Sequence, residues 1–343
     1  MFAYFKNRIL LTFPLSFGKA IVCLIVSTSI VAGAYAQNSP LSGKVICIDP
    51  GHGGTSATDS YRQGAAGERE EWVNLRVSMY LRDLLQQEGA TVVMTRTTDE
   101  FVPLTVRSEV ARAHDADVFL SIHHNATADT SVNFPIIYFH GNASENLAGV
   151  ALGKALAHQF ETVMYERDVP VSVVSDHTIF ASVGASVLRG TYGIPAVLAE
   201  ASFFTNPKEE QRLKDTVYNK QEAEAYRAAL VAYFRQPIPP IHKQYMIAQK
   251  LSPFQGLQEA ERMSPEAKAW YEDYQRGLAL MKSDRAADWK QAYDYFTRSA
   301  RSFPDSYVAG DCHKQRAILL RRLGNLKEAE EESARASEFY LSF

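Results

Sequence analysis

Between residues 44 and 234, short apolar runs alternate with longer stretches of helical periodicity, and this alternation restricts the fold more than any other feature of the chain. The run at 44–49 (KVICID) reads as a fully buried strand. It ends in the glycine-rich turn Asp49-Pro50-Gly51-His52-Gly53-Gly54. Helical spacing follows: Val73, Val77, Leu81 and Leu84 share one face of a helix predicted over about 68–88, and Gly89 stops it. Further strands are predicted at 91–95, 118–122, 135–139 and 195–200, and further helices at 106–114, 147–164 and within 208–234. Strands that alternate with helices imply an α/β fold, a mostly parallel twisted sheet with helices on both faces.

The alternation stops at Gln236-Pro237-Ile238-Pro239-Pro240, a proline-rich, semi-rigid spacer. Beyond it the pattern is purely helical. Ser264-Pro265 has the form of an N-cap followed by proline at the first helical position. Ala292, Phe296 and Ser299 precede Phe303-Pro304, and Ala329, Ser333 and Ala336 repeat the small-residue spacing after Gly324-Asn325. This resembles tetratricopeptide repeats, where small residues let two helices cross closely. The predicted layout is an export signal at 1–36, an α/β domain at 37–235, a linker at 236–256 and a small all-α, tetratricopeptide-like domain at 257–343.

The first 36 residues are not fold. Lys6, Arg8 and Lys19 are their only charges, AIVCLIVSTSIVA at 20–32 is a short apolar run, and Ala34-Tyr35-Ala36 offers small residues to a signal peptidase. A secretory signal peptide cut after Ala36 is expected; the alternative is an uncleaved anchor, although the run is short for a span. After cleavage no stable membrane span is expected, and the protein belongs across the inner membrane, in the periplasm or cell envelope. Cleavage removes three positive charges from a chain of net charge −3, leaving about −6. That balance argues against nucleic acid as a partner. Three cysteines are too few for a disulfide framework or a cysteine-rich zinc module, and Cys47 reads as a buried free thiol. A bound metal must therefore use His, Asp or Glu.

In an open α/β sheet, ligands bind at the carboxyl ends of the strands. His52 follows the first strand, His123, His124 and Asn125 follow the third, and Glu200 ends the strand at 195–200. Glu68, Glu70 and Glu71 open the first helix near the same edge. Two imidazoles, a helix-start carboxylate and a further carboxylate on one rim match a catalytic zinc site with an open position and a spare base.

The same residues carry a family resemblance. Asp49-Pro50-Gly51-His52-Gly53-Gly54, Glu70 five residues before Leu75, Ser121-Ile122-His123-His124-Asn125 and Pro195-Ala196-Val197-Leu198-Ala199-Glu200 occur in that order. Thr95-Arg96, Leu104, Arg107, Ala116-Asp117, Val187-Leu188-Arg189 and Phe203-Phe204-Thr205-Asn206-Pro207 fit as well. The stretch 43–234 resembles the zinc-dependent N-acetylmuramoyl-L-alanine amidases of the Amidase_3 type, which cleave peptidoglycan. The resemblance implies Zn²⁺ ligated by His52, Glu70 and His123, with Glu200 as general base, and hydrolysis of the amide between N-acetylmuramic acid and L-alanine. It selects Glu70 over Glu68 and Glu71 by its distance from the helix leucine. His124, often alanine in the family, is expected to point the opposite way from the ligand and to sit behind the site or on its rim, not to serve as a fourth protein ligand. Arg189 is expected to stabilise the oxyanion or hold a substrate carboxylate, or else to form an ion pair.

Other residues have plainer expectations. Asp49 anchors the glycine turn or orients a ligand histidine, Ser121 is a small strand-end residue, and His177 could reach the site from its loop. The span from His123 to Glu200 leaves little room for an inserted blocking helix, so the only candidate gate is 169–185. The C-terminal helices are expected to bind a protein partner. A zinc peptidase and a catalytically dead scaffold are the competing functions.

Overall fold

The computed structural model describes residues 39–54, 62–243, 251–258 and 261–341. The expected signal peptide lies outside these residues, as does part of the expected linker. Six strands, β1 (Val45–Pro50), β2 (Thr91–Met94), β3 (Val118–Asn125), β4 (Ile136–Phe139), β5 (Ser172–Ser175) and β6 (Ala196–Phe203), form one sheet in the order β2-β1-β3-β6-β4-β5. Neighbours run parallel except β4 against β6. The α/β expectation holds, with one strand more than the sequence pattern reveals: β5 is a four-residue edge strand inside the stretch read as a loop.

The first six helices are α1 (Glu70–Gln87), α2 (Leu104–Ala113), α3 (Leu147–Gln159), α4 (Ser186–Gly190), α5 (Pro207–Leu213) and α6 (Thr216–Phe234). Val73, Val77, Leu81 and Leu85 of α1 pack with Leu152 and Leu156 of α3 and Tyr226 and Leu230 of α6 against Ile46, Ile48, Leu120 and Val197. The helix expected to run to residue 164 leaves α geometry at Gln159 and widens into a π turn, Phe160–Met164.

The opposite face is covered differently. There α2 and α4 are short and bring only Ala111, Val187 and Leu188 to the core. The rest comes from the C-terminal helices α7 (Trp270–Leu280), α8 (Ala286–Ser302), α9 (Ala309–Arg322) and α10 (Leu326–Phe339) and the residues beside them. Trp270, Phe303, Val308, Phe339 and Tyr340 share one apolar cluster with Phe134, Ile136, Tyr138, Val174 and Phe203. The Leu341 N–H donates to Val173 O at 3.0 Å, which occupies the open edge of β5. Arg262 reaches Asp305 at 2.9 Å, and the Tyr138 hydroxyl donates to the same buried carboxylate. The helical region is thus part of the second layer of the sheet. Within it, Ala292, Phe296 and Ser299, and likewise Ala329 and Ala336, are buried where the helices cross. Cys47 and Cys312 are buried free thiols, as expected for Cys47.

A core shared this way predicts cooperative unfolding of the whole chain. Phe303→Ala removes a ring packed on Phe134, Phe203 and Trp270 and should cost about 3–5 kcal/mol. Circular dichroism in urea should show one transition, moved to lower denaturant. Two transitions with only one displaced would contradict the shared core.

Candidate active site

Beyond β1 the backbone leaves the ladder and its carbonyls need other partners. The Gly51 N–H still donates to Ile122 O at 2.9 Å. Arg96, fully buried, donates from Nε to Pro50 O (2.9 Å) and from Nη2 to Gly51 O (2.8 Å) and Glu71 O (2.8 Å). Arg107 donates from Nη1 to Pro50 O (2.8 Å) and from Nη2 to His52 O (2.7 Å), and pairs with Asp49 at 2.9 Å. Burial and the like charge of Arg107 push the Arg96 guanidinium down to about 10. Asp49 also accepts from Thr95 Oγ1 (2.5 Å) and Ser121 Oγ (2.7 Å), so it anchors the turn and engages the Ser121 hydroxyl.

Held by these contacts, His52 adopts φ +58°, a left-handed conformation that costs a side chain roughly 1–2 kcal/mol. Gly51 is required for another reason. A Cβ there would stand 2.3 Å from the His123 ring, so that imidazole lies directly on bare backbone.

Glu70, the first residue of α1, faces both imidazoles: its Oε1 is 3.0 Å from His52 Nε2 and 3.0 Å from His123 Nδ1. One donor atom from each of His52, Glu70 and His123 lies within 4.8 Å of the others. The neighbouring glutamates are engaged elsewhere, Glu68 with Arg76 at 2.9 Å and Glu71 with Arg69 at 2.7 Å. Burial alone would raise the Glu70 carboxyl, but the charge of His52 and the hydrogen bonds of both histidines hold it well below the usual carboxylate range. Burial lowers the His123 imidazole against the pull of Glu70. Arg62 adds a guanidinium beside His52, with its Nη1 3.3 Å from Glu70 Oε2. The sequence reading did not single out Arg62.

The strand expected to end at 122 runs on through Asn125, so His123 and His124 alternate to opposite faces of β3. His123 stands in register with Glu200 on the adjacent parallel strand β6. Both line one cavity of about 590 Å³ together with His52, a size that suits a specific ligand site. His124 points the other way into full burial, 2.8 Å from Asn74 Oδ1 and 3.1 Å from Glu222 Oε2. Burial would lower this imidazole; the Glu222 carboxylate outweighs it and raises it. Asn74 in turn donates to Glu70 Oε1 at 3.2 Å. Sequence reasoning passed over Glu222, although it is a carboxylate in phase with Tyr226, Ala229 and Tyr233 on the buried stripe of α6.

The structure does not bring Arg189 to this cavity. Val187 and Leu188 of the short α4 are buried, which turns Arg189 outward, and its Nη1 donates to Val183 O (2.9 Å) and Gly184 O (3.0 Å). The arginines on the cavity wall are Arg62, Arg107 and Arg262. His177 stacks on Phe339 and lies beside His140, which is 2.7 Å from Asp176 Oδ2. Of that group Asp176 faces the cavity.

Comparison with known proteins shows which family the chain resembles. A family model described as N-acetylmuramoyl-L-alanine amidase matches residues 46–232. The N-acetylmuramoyl-L-alanine amidase AmiA of Salmonella typhimurium is 28% identical over 225 residues, which span 56% of this chain and 77% of that protein. The probable cell wall amidase LytH of Staphylococcus aureus is 31% identical over 211 residues, 60% of this chain and 63% of that protein. Among solved structures, the amidase AmiC2 of Nostoc punctiforme is 28% identical with a TM-score of 0.49, covering 57% of this chain and 99% of that one.

The tight seat of His123 is open to test. Gly51→Ala should displace that ring and weaken divalent-metal binding by about 10–100-fold in a competition titration against a chelating dye. An unchanged affinity would show that the His123 ring is not held by this contact.

Proposed function

The chain belongs to the N-acetylmuramoyl-L-alanine amidase family, and on that premise we propose that it hydrolyses the amide between N-acetylmuramic acid and L-alanine in peptidoglycan with a zinc ion held by His52, Glu70 and His123. The observation that carries this reading is the convergence of those three side chains within 4.8 Å beside Glu200, in register with His123.

The donor set fits the ion. Two imidazoles and one carboxylate are a borderline-soft, three-ligand set of the kind that leaves a position for water or substrate. Glu70 is held ionised by its surroundings, and both histidines keep some exposure toward the cavity, with 19% and 13% of their side chains accessible. Zinc bound there supplies Lewis-acid polarisation of the amide carbonyl and a more acidic water. Glu200 takes a proton from the attacking water and delivers it to the departing α-amine of L-alanine. Arg107 holds the His52 carbonyl and Asn74 holds the Glu70 carboxylate, so both groups stay in place through the reaction. Arg189 contributes by bracing the turn at Val183–Gly184.

Export to the cell envelope is part of the same proposal, because the substrate lies there and residues 1–36 have the pattern of a signal peptide. No helix among the described residues is long and apolar enough to cross a membrane. We further propose that the C-terminal helical hairpins, with their tetratricopeptide-like spacing, offer a face to a protein partner.

Digestion of purified peptidoglycan should release intact stem peptides with a free L-alanine amine. A chelator should abolish this, and added zinc should restore it. Glu200→Ala should lower turnover by about 10²–10⁴-fold with zinc content unchanged by elemental analysis. His52→Ala should lose the metal itself. Near-normal turnover in Glu200→Ala would remove that residue from the mechanism, and products cut within the peptide would point to a peptidase.

A further inference from the structure

Two aromatic side chains on two separate loops stand exposed at the cavity, and neither belongs to a buried apolar cluster among the described residues. Phe101 is 68% exposed and Phe180 is 46% exposed, and both line the cavity that contains His52, His123 and Glu200. Leu104, also exposed, lines the cavity near Phe101 in sequence. Large apolar side chains left in water beside a reactive cavity mark a surface that something covers.

The backbone under each ring is fixed. Arg96 holds the Thr98 carbonyl at 3.1 Å and Arg107 holds the Val102 carbonyl at 3.0 Å, one on each side of Phe101. Asp99 accepts from the Gly54 N–H (2.7 Å) and from Trp72 Nε1 (3.0 Å), which ties the same loop to the turn after His52. In the second loop, the Phe180 N–H donates to Asp176 O and the Phe180 carbonyl accepts from the Gly184 N–H, each at 2.9 Å. The Asp176 carboxylate holds the Ala185 N–H at 2.7 Å, and Gln258 donates to Ile179 O at 2.8 Å. Exposed rings on anchored loops lose little freedom when a ligand covers them, which is the condition for a preorganised contact.

We propose that Phe101 and Phe180 form an aromatic clamp for the saccharide ring next to the scissile bond. This rests on the amidase reading, in which the bond joins a sugar-borne lactyl group to a peptide. A pyranose has a face of C–H groups that stacks on an aromatic ring while its hydroxyls stay in water. A phenyl ring with an accessible π face suits that partner, whereas the backbone and polar groups of a peptide arm present no comparable flat apolar face. Gln258, which clips the Phe180 loop, lies outside the family-matched residues 46–232, so this side of the clamp is supported by the chain's own C-terminal region.

Because both rings are exposed, their removal leaves the core intact. The full chain and its Phe101→Ala/Phe180→Ala variant should be compared on a soluble disaccharide-peptide and on a lactyl-peptide that lacks the sugar. The double variant should raise KM for the disaccharide-peptide about tenfold, with kcat nearly unchanged and zinc content equal. It should leave kcat/KM on the lactyl-peptide unaltered, and Phe101→Trp/Phe180→Trp should retain wild-type KM. An equal loss on both substrates would assign the rings to the peptide and overturn the clamp, as would no change on either. Equilibrium binding of the disaccharide-peptide to chains carrying Glu200→Ala separates this from the function reading. A ring-dependent Kd with cleavage at some other bond would sustain the clamp and refute the amidase assignment.

Discussion

The carbonyl oxygens of Pro50, Gly51 and His52 are the constraint on which the site depends. They stand where β1 ends and the chain turns away from the sheet, in a region where buried carbonyls left unbonded would each cost on the order of 1–3 kcal/mol. Two buried guanidinium groups meet the need. A planar, five-donor arginine can bond several carbonyls at once, which a lysine ammonium on a flexible stem cannot do with the same geometry. Arg96 lies at the start of the connection from β2 to α2 and Arg107 in the first turn of α2, so the contacts that shape the His52 turn also shape the loop carrying Phe101. The left-handed His52 and the bare Gly51 surface under His123 follow from that scaffold.

Coverage of the sheet explains the second feature. One face carries three long helices, whereas α2 and α4 on the other are too short to cover β4, β5 and the adjacent part of β6. The C-terminal region fills that gap with Trp270, Phe303, Phe339 and Tyr340. Its Arg262 is a buried charge, tolerable because Asp305 pairs with it. The Tyr138 hydroxyl shares the same carboxylate, and burial together with Asp305 pushes the phenol well above its usual range. Through this link a region outside the family-matched residues supplies Gln258 and Arg262 to the cavity wall.

Much of this was legible in the chain. Apolar runs and helical spacing are local signals, and they located β1, α1, β2, α2 and β6 to within a few residues. Strand-end histidines and a helix-start glutamate were visible because the topology of a parallel sheet sends such positions to one edge. The strand β5 was not visible, since Ser-Val-Val-Ser at an edge has too little apolar content to signal. Glu222 was missed because its partner in the site is distant in sequence, 98 residues from His124, whereas Arg62 lies only 10 and 8 residues from His52 and Glu70 but outside any stretch of helix or strand periodicity. The expected role of Arg189 in catalysis depended on a direction, and direction followed from which neighbours the core demanded.

The sequence by itself determined the alternation of elements, the class of sheet and the inventory of groups that can bind a metal or move a proton. The motif resemblance already pointed to Glu70 among Glu68, Glu70 and Glu71, and the tertiary structure supplies the physical reason, because Arg76 and Arg69 engage the other two. Only the tertiary structure decided that the C-terminal helices close the second face of the sheet. Residue type and periodicity are carried by the local chain, whereas the partner that satisfies a buried charge or covers an apolar face is set by packing between distant segments.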